Sequence, residues 1–374
     1  MLQPYTVPEL SDGVVRLRRH TDDDIDALVE MCNDPLFVAY TSVPVPYERQ
    51  HARRWVREIV PGGWERGDAR GWAIEAVGDD GVPRLAGNID IRGARLADIG
   101  YGLHPWARGR GIIARATRLA TRWCFDNSGV QVVHWRSHVG NVASRRAAWA
   151  AGFTFHDTVP RLLEERDRLF DAWTAALLPD DAPTPRTTWL SPVELAGDGI
   201  RLRAFGADDT DRIVEACSDP RTMHWLDSLP RPYTAADARA YLLRGIELAS
   251  LGKSVSWALA DRDTDRLLGS LTLMSFFDEQ AEVGYWTHPQ ARGSGVMSRA
   301  VRLACAPAFA PVGEGGYGRR RLQLRAAAGN AASRHVAVRA GFAEVGHQRD
   351  ACRLGDGSVT DQVLYELLPA DVSR

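Results

Sequence analysis

Apolar and polar residues alternate over 15–18 near the start of the chain, and this alternation predicts a β-strand. Three aspartates at 22–24 follow, and apolar residues then recur at helical spacing over 25–32. Acidic residues before such a run are typical of a helix N-terminus, and Pro35 indicates where the helix ends. The same pattern returns over 200–220, so both halves of the chain are expected to begin with a strand and a helix.

Short apolar runs separated by turn-forming residues predict further strands in each half. A glycine-rich turn then leads into a run with helical spacing, and two more strands follow. In the first half these segments are 72–74, 85–91, 115–120, 130–135 and 169–173. Their counterparts in the second half are 257–259, 268–273, 299–304, 321–325 and 359–363.

The strand before the glycine turn is repeated: Ala97–Gly111 corresponds to Ala281–Gly295, with a constant shift of 184 positions (98 to 282). This separation has the size of a domain, and a length of 374 residues also favours two domains. The proline-rich segment 179–190 lacks an apolar period and is the predicted linker. We therefore expect an N-terminal domain over 1–178 and a C-terminal domain over 191–374.

The second half contains a short insertion relative to the first. The shift between equivalent residues has grown to 189 positions at Asn141 and Asn330, so five residues have been added after the glycine turn. Glycines concentrate at 313–318, and this density predicts a flexible loop there instead of a regular element.

The composition is that of an ordinary globular protein, with 45% hydrophobic residues, 25% charged residues and a formal net charge of −2. Neither a nucleic-acid nor a membrane partner is expected, because the chain has no basic excess and no apolar stretch of about 20 residues. Residues 1–10 do not resemble a secretion signal, so a cytoplasmic location is expected. Cys32 and Cys217 occupy equivalent positions without Cys-x-x-Cys spacing, and we expect buried apolar residues there instead of metal ligands or a disulfide.

The repeated glycine turn has the properties of a phosphate-binding site. Main-chain N–H groups in such a turn at a helix start point outward, and the helix dipole adds partial positive charge. A single Arg-Gly-x-Gly sequence also occurs as an ordinary connection between a strand and a helix. Here it occurs twice, each time after a Gly-Tyr strand and before Asn-x-x-Ser and Gly-Phe, which favours a site for a pyrophosphate.

With these motifs the chain resembles two fused acyl-CoA-dependent N-acyltransferase domains of the GNAT superfamily, similar to the RimJ/RimL branch of protein amino-terminal acetyltransferases. The resemblance covers nearly all of both halves. It implies an α/β (α+β) protein with two tandem GNAT folds, each a mixed, mostly antiparallel sheet flanked by helices with a splayed coenzyme A cleft. The signature Arg/Gln-x-x-Gly-x-Gly/Ala is matched except at its last position, where Ile113 and Met297 replace a small residue.

The resemblance implies that acetyl-CoA binds in each half as a co-substrate, without a metal, along the motif strand and the glycine turn. A main-chain N–H of that strand would polarise the thioester carbonyl as an oxyanion hole. The implied coenzyme-contacting residues of the first half are Leu103, His104, Pro105, Arg108, Gly109, Arg110, Gly111, Ile112, Ile113 and Asn141. Those of the second half are Thr287, His288, Pro289, Arg292, Gly293, Ser294, Gly295, Val296, Met297 and Asn330.

Acyl transfer to an amine needs a base and an acid, but no nucleophilic side chain. Asp98 and Glu282 lie at matching positions on the motif strand and resemble the general base of several GNAT enzymes, acting through water. The alternative is a solvated or cleft-lining charge. His104 and His288 also match each other, and a structural contact with the cofactor is the preferred interpretation for both.

The usual acid is absent from both halves. Many GNAT enzymes place a tyrosine four residues before the glycine of the Gly-Phe motif, and Ala148 and Ala337 stand there in this chain. Ser144 and Ser333, in the Asn-x-x-Ser motifs, resemble the serine assigned as the acid in the RimL-like branch. The alternative for both serines is a helix cap.

The resemblance therefore predicts a tandem N-acetyltransferase that acetylates a primary amine by direct attack in a ternary complex. The acceptor is either a peptide or protein α-amine or a small amine such as an antibiotic or polyamine, with acceptor loops near 37–55 and 223–241. One alternative is an enzyme with one catalytic and one structural half, and another is a non-catalytic acetyl-CoA-binding sensor or scaffold. An intramolecular pseudo-dimer of the halves is expected, and further oligomerisation stays open.

Overall fold

The computed structural model describes residues 6–372. Its contacts separate two units, the first ending at Arg186 and the second beginning at Thr187. Each unit contains one mixed, mostly antiparallel sheet flanked by helices, so the predicted fold class is confirmed. Among residues 6–372, no helix is both long and apolar enough to span a membrane.

In the part of the chain that the structure describes, the first unit has nine strands and six α-helices. The strands are β1 (Leu10–Ser11), β2 (Val15–Arg18), β3 (Ala69–Val77), β4 (Pro83–Arg92), β5 (Leu96–Leu103), β6 (Val132–His138), β7 (Thr154–Phe155), β8 (Val159–Glu165) and β9 (Arg168–Leu177). The helices are α1 (Ile25–Cys32), α2 (Pro35–Ala39), α3 (Arg49–Arg54), α4 (Val60–Arg66), α5 (Ile112–Asn127) and α6 (Val142–Ala151). The strand order is β1-β2-β3-β4-β5-β6-β9-β7, with β8 paired to β9, and β5 runs parallel to β6.

The second unit repeats this arrangement. Its strands are β10 (Leu195–Gly197), β11 (Ile200–Arg203), β12 (Val255–Asp261), β13 (Leu267–Phe277), β14 (Gln280–Thr287), β15 (Arg321–Ala327), β16 (Ala343–Arg353) and β17 (Val359–Leu367). Its helices are α7 (Thr210–Ser218), α8 (Pro220–Trp225), α9 (Ala235–Ser250), α10 (Val296–Phe309), α11 (Ala331–Arg339) and α12 (Pro369–Val372). The strand order is β10-β11-β12-β13-β14-β15-β17-β16, and β14 runs parallel to β15.

The strand and helix predicted at the start of each half are present, as β2 with α1 and as β11 with α7. The aspartate before the helix also holds the strand. Both carboxylate oxygens of Asp24 accept hydrogen bonds from Arg18 at 2.8 Å. Asp209 accepts two equivalent bonds from Arg203, at 2.8 and 3.0 Å. The repeated acidic residue therefore links the first strand of each unit to its first helix.

His20 lies next to this ion pair in the first unit and is buried, with 3% of its surface exposed. Its ring meets Trp55 edge-on at 6.4 Å, and neither ring nitrogen has a hydrogen-bond partner among the described residues. Burial lowers the pKa of His20 to about 4. The equivalent residue of the second unit is Phe205, which meets Tyr241 edge-on. The first unit thus buries an ionisable ring where the second has a partly buried hydrocarbon ring.

The glycine-dense segment 313–318 is not the unanchored loop that its composition predicts. Tyr317 within it is buried, and its ring lies edge-on to Trp257 at 5.7 Å. Its hydroxyl donates to the carbonyl of Ser191 at 2.8 Å and accepts from the N–H of Val193 at 3.2 Å. The side chain of Tyr317 therefore anchors a segment that its glycine content alone predicts to be flexible.

The segments 37–55 and 223–241, expected as loops, are partly helical. Helices α2 and α3 lie partly or wholly in the first segment, and parts of α8 and α9 lie in the second. Asp34 and Asp219 begin α2 and α8, because each carboxylate accepts the main-chain N–H three residues later. The proline that follows each aspartate occupies the first helical position, where its missing N–H costs nothing. The Asp-Pro pairs therefore start new helices as well as end the preceding ones.

Candidate functional site

The two central strands of each sheet pair over a short length and then diverge. The parallel pairing of β5 with β6 covers three residues and ends at Asp98 opposite His134. The pairing of β14 with β15 also covers three residues and ends at Glu282 opposite Gln323. Beyond these residues the strands separate, so each sheet contains a V-shaped gap. Asp98 and Glu282 lie at the vertex of their gaps.

In the second unit this gap belongs to a cleft of about 900 Å³. Most of the coenzyme-contacting residues predicted for the second half line it. They are Thr287, Arg292, Gly293, Ser294, Gly295, Val296, Met297 and Asn330. The predicted base Glu282 and the predicted acid Ser333 line the same cleft, whereas His288 and Pro289 lie outside its walls.

The glycine turns have the geometry that phosphate binding requires. Gly109 and Gly111 have φ of 75° and 71°, and Gly293 and Gly295 have φ of 75° and 74°, a region that favours glycine. The second glycine of each pair is the N-cap of the long helix α5 or α10. A Cβ added to Gly109 or Gly293 would meet no atom within 4 Å. The turns therefore offer N–H groups and open space to a pyrophosphate, and the residues present fit one.

The bulky residues at the last signature position do not obstruct the turn. Ile113 and Met297 are buried, with 8% and 3% exposure, in the first turn of their helices. Met297 belongs to the hydrophobic core of the second unit and lies close to Gly269 of β13. The departure from the family signature is therefore a packing difference between helix and sheet.

The arginines of the two signatures are each bound to a carboxylate. Arg108 donates to Asp34, and Arg292 donates to Asp219 and, at 2.7 Å, to the hydroxyl of Thr222. The bond from Arg108 lowers the pKa of Asp34, although burial opposes it. Each arginine thus ties the entry of the glycine turn to the start of α2 or α8, which fixes the turn in place.

The two histidines before the turn are buried against the first helix of their unit. His104 lies 3.4 Å from Glu30, and Nε2 of His288 lies 3.0 Å from a carboxylate oxygen of Glu215. The N–H of Gln290 donates to Nδ1 of His288, so Nε2 carries the hydrogen and donates to Glu215. Burial, assisted by the charge of Arg212, lowers the pKa of His288. Both histidines hold the end of the motif strand to the first helix of their unit.

Arg110, which lies between the two glycines of the first turn, is bound within its own unit. Its guanidinium donates to the carbonyl of Val77 at 3.0 Å and lies 5.6 Å from the centre of the Trp106 ring. The equivalent Ser294 donates to the carbonyl of Ala291 at 2.6 Å. At this position of the signature each side chain donates to a main-chain carbonyl of its own unit.

Each vertex carboxylate forms an ion pair across its gap. Asp98 binds Arg136 at 2.7 Å, and both side chains are about 40% exposed. Glu282 binds Arg325 through both carboxylate oxygens, one of them at 3.0 Å from Nε. Each arginine lies on the neighbouring strand, two residues beyond the last residue that pairs with the motif strand. The ion pairs therefore join the diverging strands.

The serines of the Asn-x-x-Ser motifs are not the helix caps. Asn141 and Asn330 cap α6 and α11, and each amide oxygen accepts the N–H of the serine three residues later at 3.1 Å. The serine hydroxyls bind tyrosines instead, as Ser144 Oγ lies 3.1 Å from the hydroxyl of Tyr101. The hydroxyls of Ser333 and Tyr285 lie 2.9 Å apart.

These tyrosines come from the motif strand, and sequence reasoning did not select them. Tyr101 and Tyr285 each also donate to the main-chain carbonyl of their serine at 3.1 Å. Burial raises the pKa of each to about 12. The signal was present in the repeated Gly-Tyr pair, because equal residues at a constant shift of 184 positions (101 to 285) indicate a shared contact.

The first unit differs from the second where α2 meets the motif strand. The ring of Phe37 lies over Gly102 so closely that a Cβ on this glycine would overlap it. The equivalent pair in the second unit is Thr222 and Trp286, and both line the cleft. Tyr40 also crosses to β6–α6, where its hydroxyl contacts the carbonyl of Gly140 at 3.4 Å.

A separate groove of about 390 Å³ lies beside the vertex of the first unit. Asp98 contributes to its wall, so the first-half carboxylate faces a different space from Glu282. Its other lining residues are His134, Trp135, Arg136, His156, Leu162, Thr174 and Ala175. Among the described residues, no three His, Cys, Asp or Glu side chains are grouped so that they hold a metal ion.

Comparisons with known proteins agree with this geometry. The family model described as "Acetyltransferase (GNAT) domain" matches residues 15–154 and again residues 200–343. The chain is similar to "Putative ribosomal N-acetyltransferase YdaF" of Bacillus subtilis (strain 168), with 28% identity over 173 residues that cover 45% of this chain and 91% of the relative.

Two solved structures are similar to part of the chain. One is RimJ of Mycobacterium smegmatis in complex with CoA-disulfide, with 16% identity, coverage of 49% of this chain and 89% of that chain, and a TM-score of 0.43. The other is the ribosomal-protein-S5-alanine acetyltransferase of Vibrio fischeri, with 18% identity, coverage of 48% and 98%, and a TM-score of 0.42.

Proposed function

Both halves of the chain belong to the GNAT acetyltransferase family of acyl-CoA-dependent N-acetyltransferases, and we propose that the second unit transfers an acetyl group to the α-amine of a peptide or protein. The observation that supports this most is the 900 Å³ cleft, in which the glycine turn, Glu282 and Ser333 line one continuous space. The name of the Bacillus subtilis relative, a ribosomal N-acetyltransferase, supports a protein amine over a small one.

Acetyl-CoA is the proposed co-substrate. The N–H groups around Gly293 and Gly295, with the N-terminus of α10, would bind its pyrophosphate. Thr287 lies between this turn and the vertex, where the pantetheine arm would follow β14. Because β14 has left β15 beyond Glu282, its main-chain N–H groups are available to polarise the thioester carbonyl.

In the proposed reaction a neutral amine attacks the thioester directly. Glu282 would accept the proton of the attacking nitrogen through a water molecule, after exchange of its bond to Arg325. Ser333 lines the cleft on α11 and would donate a hydrogen bond to the departing sulfur. The nitrogen forms the new bond to the acyl carbon, and the electron pair of the broken C–S bond goes to sulfur.

A structural or binding function is proposed for the first unit, because Phe37 covers Gly102 on its motif strand. The ring of Phe37 occupies the space beside β5 along which a pantetheine arm would lie. The open glycine turn at Gly109 is compatible with binding of the nucleotide end of coenzyme A. This assignment corresponds to the sensor or structural half considered from the sequence.

Calorimetric titration of acetyl-CoA tests the proposal. Gly293→Trp is expected to remove binding in the second unit, because its side chain would fill the phosphate space, and to abolish acetylation of peptides with free N-termini. Gly109→Trp is the matched control, and it is expected to leave turnover unchanged. Acetylation confined to polyamines or other small amines would overturn the peptide acceptor. Turnover lost only in Gly109→Trp would overturn the assignment to the second unit.

A further inference from the structure

Helix α11 has no tyrosine at the position from which many family members protonate the thiolate, because Ala337 stands there and is fully buried. The cleft nevertheless contains a phenol. Tyr285 reaches it from the opposite side, from β14, and lines the same space as Ser333. Its hydroxyl lies 2.9 Å from Ser333 Oγ, so the two side chains link β14 to α11.

We propose that Tyr285 acts through Ser333 to stabilise the thiolate of coenzyme A as it departs. In this arrangement the Tyr285 hydroxyl donates to Ser333 Oγ, and Oγ donates to the sulfur. This inference rests on the proposed function of the second cleft. It assigns Tyr285 as a positioning residue, because it touches the serine and not the reacting atoms.

The hydrogen bonds at Ser333 permit this direction of donation. In the structure the single hydrogen of the Tyr285 hydroxyl goes to the main-chain carbonyl of Ser333 at 3.1 Å, so Oγ donates to Tyr285 at 2.9 Å. When Oγ turns its hydrogen toward the sulfur, the phenol hydrogen turns from the carbonyl to Oγ, and neither rotation moves a heavy atom. The serine is fixed meanwhile, because its N–H donates to Asn330 at 3.1 Å. A hydroxyl that accepts one hydrogen bond becomes a stronger donor in the next, which favours a chain that ends on a negative charge.

The chemistry of the step is balanced without a charged tyrosine. As the acyl carbon keeps its new bond to nitrogen, the C–S bond breaks and its electron pair goes to sulfur. The Oγ–H group donates a hydrogen bond to that sulfur. The protonated nitrogen of the tetrahedral intermediate loses its proton through water to Glu282, and the thiolate takes a proton from solvent on release. Because burial raises the pKa of Tyr285 to about 12, its hydroxyl remains a donor at every pH at which an amine substrate reacts.

The first unit has the same pair with an additional donor. Trp135 Nε1 donates to Ser144 Oγ at 3.1 Å, alongside the hydroxyl of Tyr101 at 3.1 Å. The residue equivalent to Trp135 in the second unit is Leu324, which has no side-chain donor. Removal of the phenol hydroxyl is therefore expected to affect Ser333 more than Ser144.

Steady-state kinetics of Tyr285→Phe, Ser333→Ala and the double variant test the inference. Tyr285→Phe is expected to lower kcat about 10-fold, the effect of one neutral hydrogen bond, with an unchanged KM for acetyl-CoA. Ser333→Ala is expected to lower kcat about 100-fold, as for loss of a donor to a developing anion. In the double variant kcat is expected to equal that of Ser333→Ala, because Tyr285 acts only through the serine.

The controls separate this inference from the proposed function and from a purely structural effect. Calorimetry with coenzyme A shows whether each variant is folded and binds, and Tyr101→Phe removes the equivalent hydroxyl from the first unit without an expected change in kcat. A Tyr285→Phe enzyme with wild-type kcat, or one that loses coenzyme A binding, overturns the inference while the proposed function stands. So does a further fall of about 10-fold when Tyr285→Phe is added to Ser333→Ala. A wild-type protein that transfers no acetyl group to any peptide overturns both.

Discussion

Replacement of His20 by phenylalanine, the residue at the equivalent position of the second unit, is expected to remove a pH-dependent weakness of the first unit. The folded protein holds this ring neutral, with a pKa of about 4, because it is buried. An exposed histidine has a pKa of about 6.5. The unfolded chain therefore binds more protons between these values, and the stability of the first unit falls as the pH falls from about 6.5 to about 4.

The magnitude follows from the two pKa values. The contribution of His20 is fully present above pH 6.5, and linkage gives a loss of about 2 kcal/mol between pH 7.5 and pH 5. The loss approaches about 3 kcal/mol below pH 4, where both states are protonated. Solvent does not reduce this figure appreciably, since 3% of the residue is exposed. The neighbouring charges of Asp24 and Arg18 act in opposite directions on the ring.

Urea unfolding at pH 7.5 and pH 5, followed by amide hydrogen exchange in each unit, measures the effect. In the wild-type protein the free energy of unfolding of the first unit should fall by about 2 kcal/mol more than in His20→Phe. The second unit, which has Phe205 at this position, should respond equally in both proteins. Equal pH sensitivity of the first unit in the two proteins would refute the reasoning, because it would mean that the folded state protonates His20 freely.

Three further substitutions give expected outcomes. Tyr317→Phe should destabilise the second unit by roughly 0.5–1.5 kcal/mol in thermal unfolding, because the main-chain groups of Ser191 and Val193 lose a hydrogen-bond partner. An unchanged Tm would contradict this. Arg292→Ala should weaken acetyl-CoA binding about 10-fold, because the glycine turn loses its bond to Asp219. Arg108→Ala is the control and should not affect turnover. Equal activities of both variants and the wild type would show that the bond from Arg292 to Asp219 does not support binding. Thr222→Phe introduces into the second unit the residue that the first unit has at Phe37, and it should raise the KM for acetyl-CoA by narrowing the cleft. A wild-type KM would show that a phenylalanine ring at this position does not obstruct acetyl-CoA.

The local elements that repeat in the sequence were predictable, because they depend on near neighbours in the chain. The strands at 15–18 and 200–203, the glycine turns and the helices after them follow from alternation, glycine positions and helical spacing. The fold class was implied by the resemblance to the GNAT superfamily that these motifs carry. The Asp-Pro pairs show the limit of this reading, because a proline that ends one helix also begins the next.

The partners of the site residues were not predictable, because they depend on how strands and helices approach one another. Glu282 and Arg325 are 43 residues apart in sequence, and their ion pair exists because β14 and β15 lie side by side. Tyr285 and Ser333 are 48 residues apart and meet across the gap for the same reason. Their repetition in the first half was visible in the sequence, but repetition alone does not identify which residue contacts which.

The splay of each sheet also has a mechanical consequence. In the second unit, three pairs of residues join β14 and β15 at the narrow end of the V-shaped gap. The ion pair of Glu282 with Arg325 closes the gap at its vertex, and the contact of Tyr285 with Ser333 lies further out. Salt screens the ion pair at the vertex but does not weaken the hydrogen bond between the two hydroxyls. The two contacts therefore resist widening of the gap differently as the salt concentration rises. Ionic strength should therefore loosen the vertex at Glu282 more than the outer part of the cleft at Tyr285 and Ser333.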